Sequence, residues 1–146
     1  MAPEQNVLRV EHVGIAVENL EEAVQFMKEV FGVEASEIVE QPEHNIRGAM
    51  VNFGETKVEM VQPTAPDTPV ARFLQSRGPG LHHVAFRVKD SVKERLDALK
   101  ARGFQLVDQA PRKGMFGTVG FVHPSSMHGI LVEFVQDFLP EHQPKR

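Results

Sequence analysis

The order of apolar and polar residues along the chain predicts the same series of elements twice. Alternating apolar and polar residues indicate strands, whereas apolar residues three and four positions apart indicate a helix. The first series is a strand, a helix and three strands, at about residues 7–17, 20–30, 37–41, 47–53 and 57–62. The second is a strand at 81–88, a helix that ends near 102, and strands at 105–108, 118–123 and 130–135. Each series is therefore predicted to be one βαβββ module.

Residues that favour helix ends support these boundaries. Asn19 can cap the first helix, and Gly32 follows its last apolar residues. Asp90 or Ser91 can cap the second helix, and Gly103 ends it. Both helices thus carry a start signal and a stop signal at the predicted places.

The two modules are predicted to lie within one domain that covers residues 1–146. Module one spans about 7–62 and module two about 80–136, and the proline-rich linker 63–79 between them is expected to hold a short helix near 70–74. The tail, 137–146, is expected to fray from Leu139 onward. A chain of 146 residues has the length of a single ordinary domain.

Two short phrases recur and show that the chain is a duplicated unit. His-Val-Gly-Ile-Ala-Val at 12–17 matches His-Val-Ala-Phe-Arg-Val at 83–88, and Val-Glu-Met-Val-Gln at 58–62 matches Val-Glu-Phe-Val-Gln at 132–136. The first phrases are 71 residues apart and the second 74. The three extra residues fit in the loop at 124–129, where an insertion costs little. A register kept in strands, with the slack taken up in a turn, is typical of a structural repeat.

Duplication of this module predicts the fold. A four-stranded sheet with a helix on one face leaves its other face to be covered. We therefore expect an α+β protein in which two tandem βαβββ modules form a curled mixed sheet around a metal-binding cleft.

Composition narrows the chemistry that this cleft can support. The chain has no cysteine, which excludes disulfides, thiolate metal sites and cysteine nucleophiles. A net charge of −4 gives no reason to expect a nucleic-acid partner. Apolar runs fall short of the about 20 residues that a membrane span needs, and the N-terminus lacks a signal-peptide profile, so we expect no membrane partner and a cytoplasmic location.

Each module contributes one histidine and one glutamate at an equivalent place, and these four residues predict a metal site. They are His12, Glu59, His83 and Glu133. Imidazole and carboxylate are good ligands for Zn, Co, Ni, Mn or Fe(II). An acid within a hydrophobic strand is costly to bury unless it is paired, and a divalent cation is one solution. A lysine or arginine across the sheet is the alternative.

Short motifs spread along the chain resemble those of one known family. They are His-Val-Gly-Ile-Ala-Val at 12–17, Pro-Glu-His at 42–44, Gly-Glu-Thr-Lys-Val-Glu at 54–59, Gly-Leu-His-His at 80–83, Phe-Val-His-Pro at 121–124 and Gly-Ile-Leu-Val-Glu at 129–133. In these motifs the chain is similar to the methylmalonyl-CoA epimerases of the vicinal oxygen chelate superfamily, over about residues 10–136.

The resemblance implies roles for particular residues. It implies a metal held by His12, His83 and Glu133, with Glu59 at a fourth position that is Gln in some relatives. It also implies that Glu43 and Glu133 flank the reacting carbon of the substrate as catalytic acid and base. One departure concerns the turn after Pro-Glu-His, where the family usually has Gly and this chain has Asn45. Asparagine tolerates the left-handed conformation better than most residues, so we expect the turn to persist.

The implied activity is the interconversion of (R)- and (S)-methylmalonyl-CoA by removal and return of the C2 proton through a metal-stabilised enolate. Among divalent ions Co²⁺ is favoured, with Mn²⁺, Ni²⁺, Zn²⁺ or Mg²⁺ as alternatives. The partner is then a small acyl-CoA, and the family implies a homodimer. Basic residues should rim the cleft for the CoA phosphates, and Arg47, Lys57, Arg112 and Lys113 are available.

Three other functions use the same fold. A ring-cleaving dioxygenase would use only two histidines and one glutamate on Fe(II), usually in a longer chain. A glyoxalase I-like lyase or isomerase would use the same four ligands on a thiol adduct. A non-catalytic binding module would hold a small molecule, but proteins of that kind typically lack the ligand set that is present here.

Overall fold

The computed structural model describes residues 4–144 and has a mixed α+β fold. Eight strands pair in the order β2-β3-β4-β1-β5-β8-β7-β6. Along the chain the elements are β1 Val7–Ala16, α1 Leu20–Phe31, β2 Val39–Gln41, β3 Ile46–Phe53, β4 Thr56–Pro63, α2 Pro69–Arg77, β5 Gly80–Val88, α3 Val92–Ala101, β6 Arg112–Lys113, β7 Thr118–Val122 and β8 Val132–Gln136. The predicted α+β class and the two βαβββ modules are confirmed.

In the first half, α1 lies on one face of strands β1, β3 and β4. Asn19 caps the helix by accepting the N–H of Glu22, and Gly32 ends it in the left-handed conformation with φ of 68°. Leu20, Met27 and their strand partner Met60 form the buried core of this half. Because strand side chains alternate, His12 of β1 and Glu59 of β4 lie on the other face of these strands.

The second half repeats this plan with α3 on strands β7 and β8. Ser91 caps α3 by accepting the N–H of Glu94. Gly120 of β7 lies directly beneath the helix, since a Cβ there would lie 2.7 Å from Leu96 Cδ1 and 2.9 Å from Val92 Cγ1. A glycine at this position therefore sets the close approach of helix and sheet.

Gln62 and Gln136 end the two copies of the phrase Val-Glu-x-Val-Gln, and each stabilises the helix of its own half. The side-chain oxygen of Gln62 accepts the N–H of Leu20 at 2.9 Å, at the start of α1. The side-chain oxygen of Gln136 accepts the N–H of Val92 at 2.8 Å, at the start of α3. Because the first N–H groups of a helix have no partner within the helix, this glutamine has the same structural role in both copies.

The strand predicted at 105–108 is wrong. Only an isolated bridge joins Leu106 to Val122, and the edge strand is β6 instead. The N–H groups of Val107 and Asp108 both donate to the carbonyl of Phe121, at 2.9 and 3.2 Å, and the Asp108 carboxylate accepts the Phe121 N–H. Two consecutive donors on one carbonyl cannot continue a ladder, so pairing resumes only at Arg112.

The prediction that the tail frays from Leu139 is also wrong as far as His142, and its part on residues 145–146 lies outside the described residues. Residues Pro140–His142 form a short 3-10 helix. The buried hydroxyl of Thr118 accepts the N–H of Leu139 at 2.9 Å and lies 2.8 Å from His142 Nδ1. Two hydrogen bonds to one buried group thus fix this segment on β7.

Contacts divide the described chain into two compact units, residues 12–82 and residues 4–11 together with 83–144. In the second of these units, Val7 packs against the core that contains Val88 and Leu96. The N–H of Lys89 donates to the carbonyl of Asn6 at 2.9 Å. Within the described residues, we find no helix with both the length and the apolar character to cross a membrane.

Candidate metal centre and active site

The first predicted pair of ligands lies on the strand face opposite α1. Glu59 of β4 is opposite Gly14 of β1, and His12 lies two residues earlier on the same face of β1. Because Gly14 has no side chain, the carboxylate has room to lie beside the imidazole. His12 Nε2 is 3.7 Å from Glu59 Oε2, and both residues are buried.

The second pair repeats this geometry. Glu133 of β8 is opposite Ala85 of β5, and His83 lies two residues earlier in that strand. His83 Nε2 is 3.6 Å from Glu133 Oε1, and the two residues are 5% and 4% exposed. Each half therefore places one histidine beside one glutamate, as the repeat predicts.

Within each half, an imidazole nitrogen and a carboxylate oxygen lie close enough to bind the same ion, at 3.7 Å for His12 and Glu59 and 3.6 Å for His83 and Glu133. Both histidine-to-glutamate distances exceed the length of a hydrogen bond. They are close to the roughly 3.4 Å expected between two atoms that each lie about 2.1 Å from one tetrahedral ion. Imidazole nitrogen and carboxylate oxygen are donors that suit a divalent metal, so each pair fits such an ion by spacing and by chemistry.

Because the two glutamates are buried, the negative charge of each carboxylate must be compensated. A carboxylate removed from water is costly unless opposite charge accompanies it. Glu59 and Glu133 are both less than a tenth exposed. A divalent cation bound beside either pair would supply positive charge that compensates the buried carboxylate.

Glu43 lies outside this group, on a short 3-10 helix at Pro42–His44 between β2 and β3. Asn45 ends the turn in the left-handed conformation, with φ of 53° and ψ of 47°, and its N–H donates to the carbonyl of Pro42 at 3.1 Å. The turn therefore forms with asparagine in the place of glycine, as expected. The Glu43 side chain is exposed, and its position opposite Glu133 across a substrate stays a prediction.

Arg47 stabilises the β2–β3 hairpin that contains this turn. Its guanidinium binds Glu21 of α1 at 2.7 Å and Glu40 of β2 at 3.1 Å. The hydrogen bond from Arg47 lowers the pKa of the Glu21 carboxyl, and the charge of Arg47 acts in the same direction. Of the basic residues expected to meet CoA, Arg47 is thus engaged with two carboxylates, and Arg112 pairs with Asp108 at 2.9 Å.

The sequence did not reveal the aromatic neighbour of the second histidine. The rings of Phe121 and His83 make an edge contact, with centroids 5.4 Å apart and planes at 83°. A phenylalanine in an apolar strand predicts only a core position. The repeat could have placed Phe121 beside the proposed site. Phe121 lies opposite Glu133 in the sheet, just as Met50 lies opposite Glu59 in the first half.

Comparison with known proteins agrees with the fold and the motifs. Residues 11–121 match the model of the glyoxalase/bleomycin resistance protein/dioxygenase superfamily. The mitochondrial methylmalonyl-CoA epimerase of Bos taurus is 38% identical over 136 residues, which are 92% of this chain and 77% of the bovine protein. The ethylmalonyl-CoA/methylmalonyl-CoA epimerase of Cereibacter sphaeroides is 33% identical over 131 residues, 88% of this chain and 97% of that protein.

A solved structure is similar in fold as well as in sequence. It is a methylmalonyl-CoA epimerase in complex with methylmalonyl-CoA and NH4+, with a TM-score of 0.85 and 29% identity. The match covers 90% of this chain and 95% of that chain.

Proposed function

Because the chain belongs to the glyoxalase/bleomycin resistance protein/dioxygenase superfamily, we propose that it is a metal-dependent methylmalonyl-CoA epimerase. It interconverts the (R) and (S) forms by moving the proton at C2. The observation that carries this proposal is the buried pair of one histidine and one glutamate in each half, His12 with Glu59 at 3.7 Å and His83 with Glu133 at 3.6 Å. The two epimerases at 38% and 33% identity support the choice of substrate.

The metal ligands are His12, Glu59, His83 and Glu133. Pairing of His83 with Glu133 at 3.6 Å supports the inclusion of the fourth residue. Among the ions that suit nitrogen and oxygen ligands, Co²⁺ is our first choice, followed by Mn²⁺, Ni²⁺, Zn²⁺ and Mg²⁺. When bound, such an ion supplies positive charge that stabilises the negative charge developing on the thioester oxygen.

Two carboxylates carry the proton. Inversion at C2 needs a base on one face of the carbon and an acid on the other, and Glu43 and Glu133 take these roles. The C2–H bond breaks as one carboxylate accepts the proton, and the other carboxylic acid then donates a proton to the opposite face. Exposure of Glu43 supports its role as the freer base, since Glu133 is also a proposed ligand. Proton exchange with solvent then returns both carboxyl groups to their starting protonation states.

Deuterium exchange at C2 of methylmalonyl-CoA in heavy water tests this proposal. The cobalt-loaded protein should introduce deuterium at C2 and convert a single C2 epimer into a mixture of both. Metal analysis of the purified protein accompanies the assay, because a metal-bound protein without exchange would point to glyoxalase-type chemistry. Protein that binds neither metal nor methylmalonyl-CoA would contradict the proposal altogether.

The assembly and the location are further parts of the proposal. A homodimer is proposed from the family, and its mass in solution by light scattering tests it. Cytoplasmic location is proposed from the sequence, and imaging of the tagged full chain in its own cells tests it. Folding as one domain predicts a single cooperative unfolding transition.

A further inference from the structure

The ring of Phe121 lies between a proposed metal ligand and a charged side chain. On one side it makes the edge contact with His83 at 5.4 Å. On the other side the guanidinium carbon of Arg112 lies 5.3 Å from the ring centroid. Edge contacts between rings and stacking of a guanidinium on a ring each favour one orientation of the groups involved. The orientation of Phe121 is therefore restricted from two directions.

Asp108 forms hydrogen bonds to both Phe121 and Arg112. One carboxylate oxygen accepts the backbone N–H of Phe121 at 2.9 Å, and the other accepts Nε of Arg112 at 2.9 Å. This ion pair is partly shielded from solvent, with the Asp108 side chain 15% exposed. A single carboxylate thus fixes the strand position of the phenylalanine and the position of the cation above its ring.

The same pairing has an electrostatic consequence. An unneutralised guanidinium near a metal site would oppose the binding of a cation. Because Asp108 pairs with Arg112, the stack adds rigidity beside His83 without adding net positive charge. The first half has the flexible Met50 at the position that corresponds to Phe121.

We propose that Asp108, Arg112 and Phe121 act together as a positioning device for His83, which they hold in the orientation that ligates a divalent ion. This inference rests on the proposed metal site. Residues that orient a metal-ligating histidine contribute to affinity because they remove the cost of ordering the ring on binding. The device acts through Phe121, whose ring contacts the histidine ring.

The test measures Co²⁺ affinity by competition with a chromophoric chelator, together with the visible absorption spectrum of the cobalt-loaded protein. Phe121→Leu should weaken binding roughly tenfold and change the spectrum, because the ligand field at His83 changes. Phe121→Tyr keeps the ring and should retain both the affinity and the spectrum. Arg112→Gln should weaken binding by a smaller factor, since the ring remains.

A matched control exists elsewhere in the same half. Arg102 stacks over Phe104 at the same 5.3 Å, and neither belongs to the proposed site. Phe104→Leu should change neither affinity nor spectrum. If wild-type protein binds no Co²⁺, the proposed metal site itself fails. If wild-type protein binds but Phe121→Leu and Arg112→Gln match it in affinity and spectrum, only the positioning device is wrong. Arg112→Gln alters a partly exposed side chain and decides the matter if Phe121→Leu does not fold.

Discussion

Glu133 repeats the position of Glu59. Each lies opposite a small residue of a parallel neighbouring strand, Ala85 in one half and Gly14 in the other, and each is buried beside a histidine. Equal geometry does not make them chemically equal, because only Glu133 is also proposed to move a proton. Substitutions that preserve shape should therefore separate the two.

Glu59→Gln keeps an oxygen ligand, and we expect cobalt affinity to fall by at most about tenfold, with measurable C2 exchange. Glu133→Gln removes a charge and a proton carrier, so exchange should fall by about 10²-fold or more. Cobalt affinity and deuterium incorporation are measured on both variants. Equal losses of exchange would contradict a separate catalytic role for Glu133.

His83→Ala should lower metal affinity and epimerisation together, by roughly 10-fold to 100-fold or more in affinity. It removes a buried nitrogen ligand that lies 3.6 Å from Glu133. The control is His128→Asn, at an exposed loop residue with positive φ that asparagine tolerates. Metal content by mass spectrometry after dialysis checks both variants, and normal occupancy in His83→Ala would refute the ligand set.

Glu43→Gln should leave metal content intact but slow epimerisation by about 10²- to 10⁴-fold, because the amide cannot accept the C2 proton. Glu55→Gln is the matched control, since Glu55 is also exposed and lies in a turn. Rates of deuterium incorporation at saturating substrate measure the effect. Full activity in Glu43→Gln would remove this residue from the mechanism.

The turn beside Glu43 offers a test of placement rather than of chemistry. Asn45 has φ of 53°, where a β-branched residue costs on the order of 1–3 kcal/mol. Asn45→Val should therefore distort the turn and reduce epimerisation while metal affinity stays unchanged. Asn45→Gly adopts this conformation freely and should keep the wild-type rate. Equal rates in the two variants would show that the turn does not position Glu43.

The sequence predicted the elements whose signals are local. Asn19 and Gly32 bound α1 because a cap and a stop act on adjacent residues. The repeat located the paired histidines and glutamates because strand periodicity sends equivalent residues to equivalent faces. The resemblance to methylmalonyl-CoA epimerases is likewise confirmed by the comparisons.

Features set by distant side chains escaped the sequence analysis. The strand at 105–108 is replaced by a bend because Asp108 binds the backbone of Phe121, thirteen positions away. The order of the tail depends on Thr118, which is buried and bonded to Leu139 and to His142. Neither pairing leaves a periodic or compositional trace, so only the folded chain shows them.

Residues 4–11 are synthesised before almost all of their packing partners, which lie at 83–144. Val7 can join the core around Leu96 only after some ninety further residues have been added, and closing so long a loop is slow. A nascent chain that ends in the linker consequently exposes apolar surface that it cannot yet bury. The sequence contains two copies of one module, but cleavage between them would not give two complete units. The N-terminal fragment would keep a strand segment without its packing partners, and the C-terminal fragment would lack part of its core.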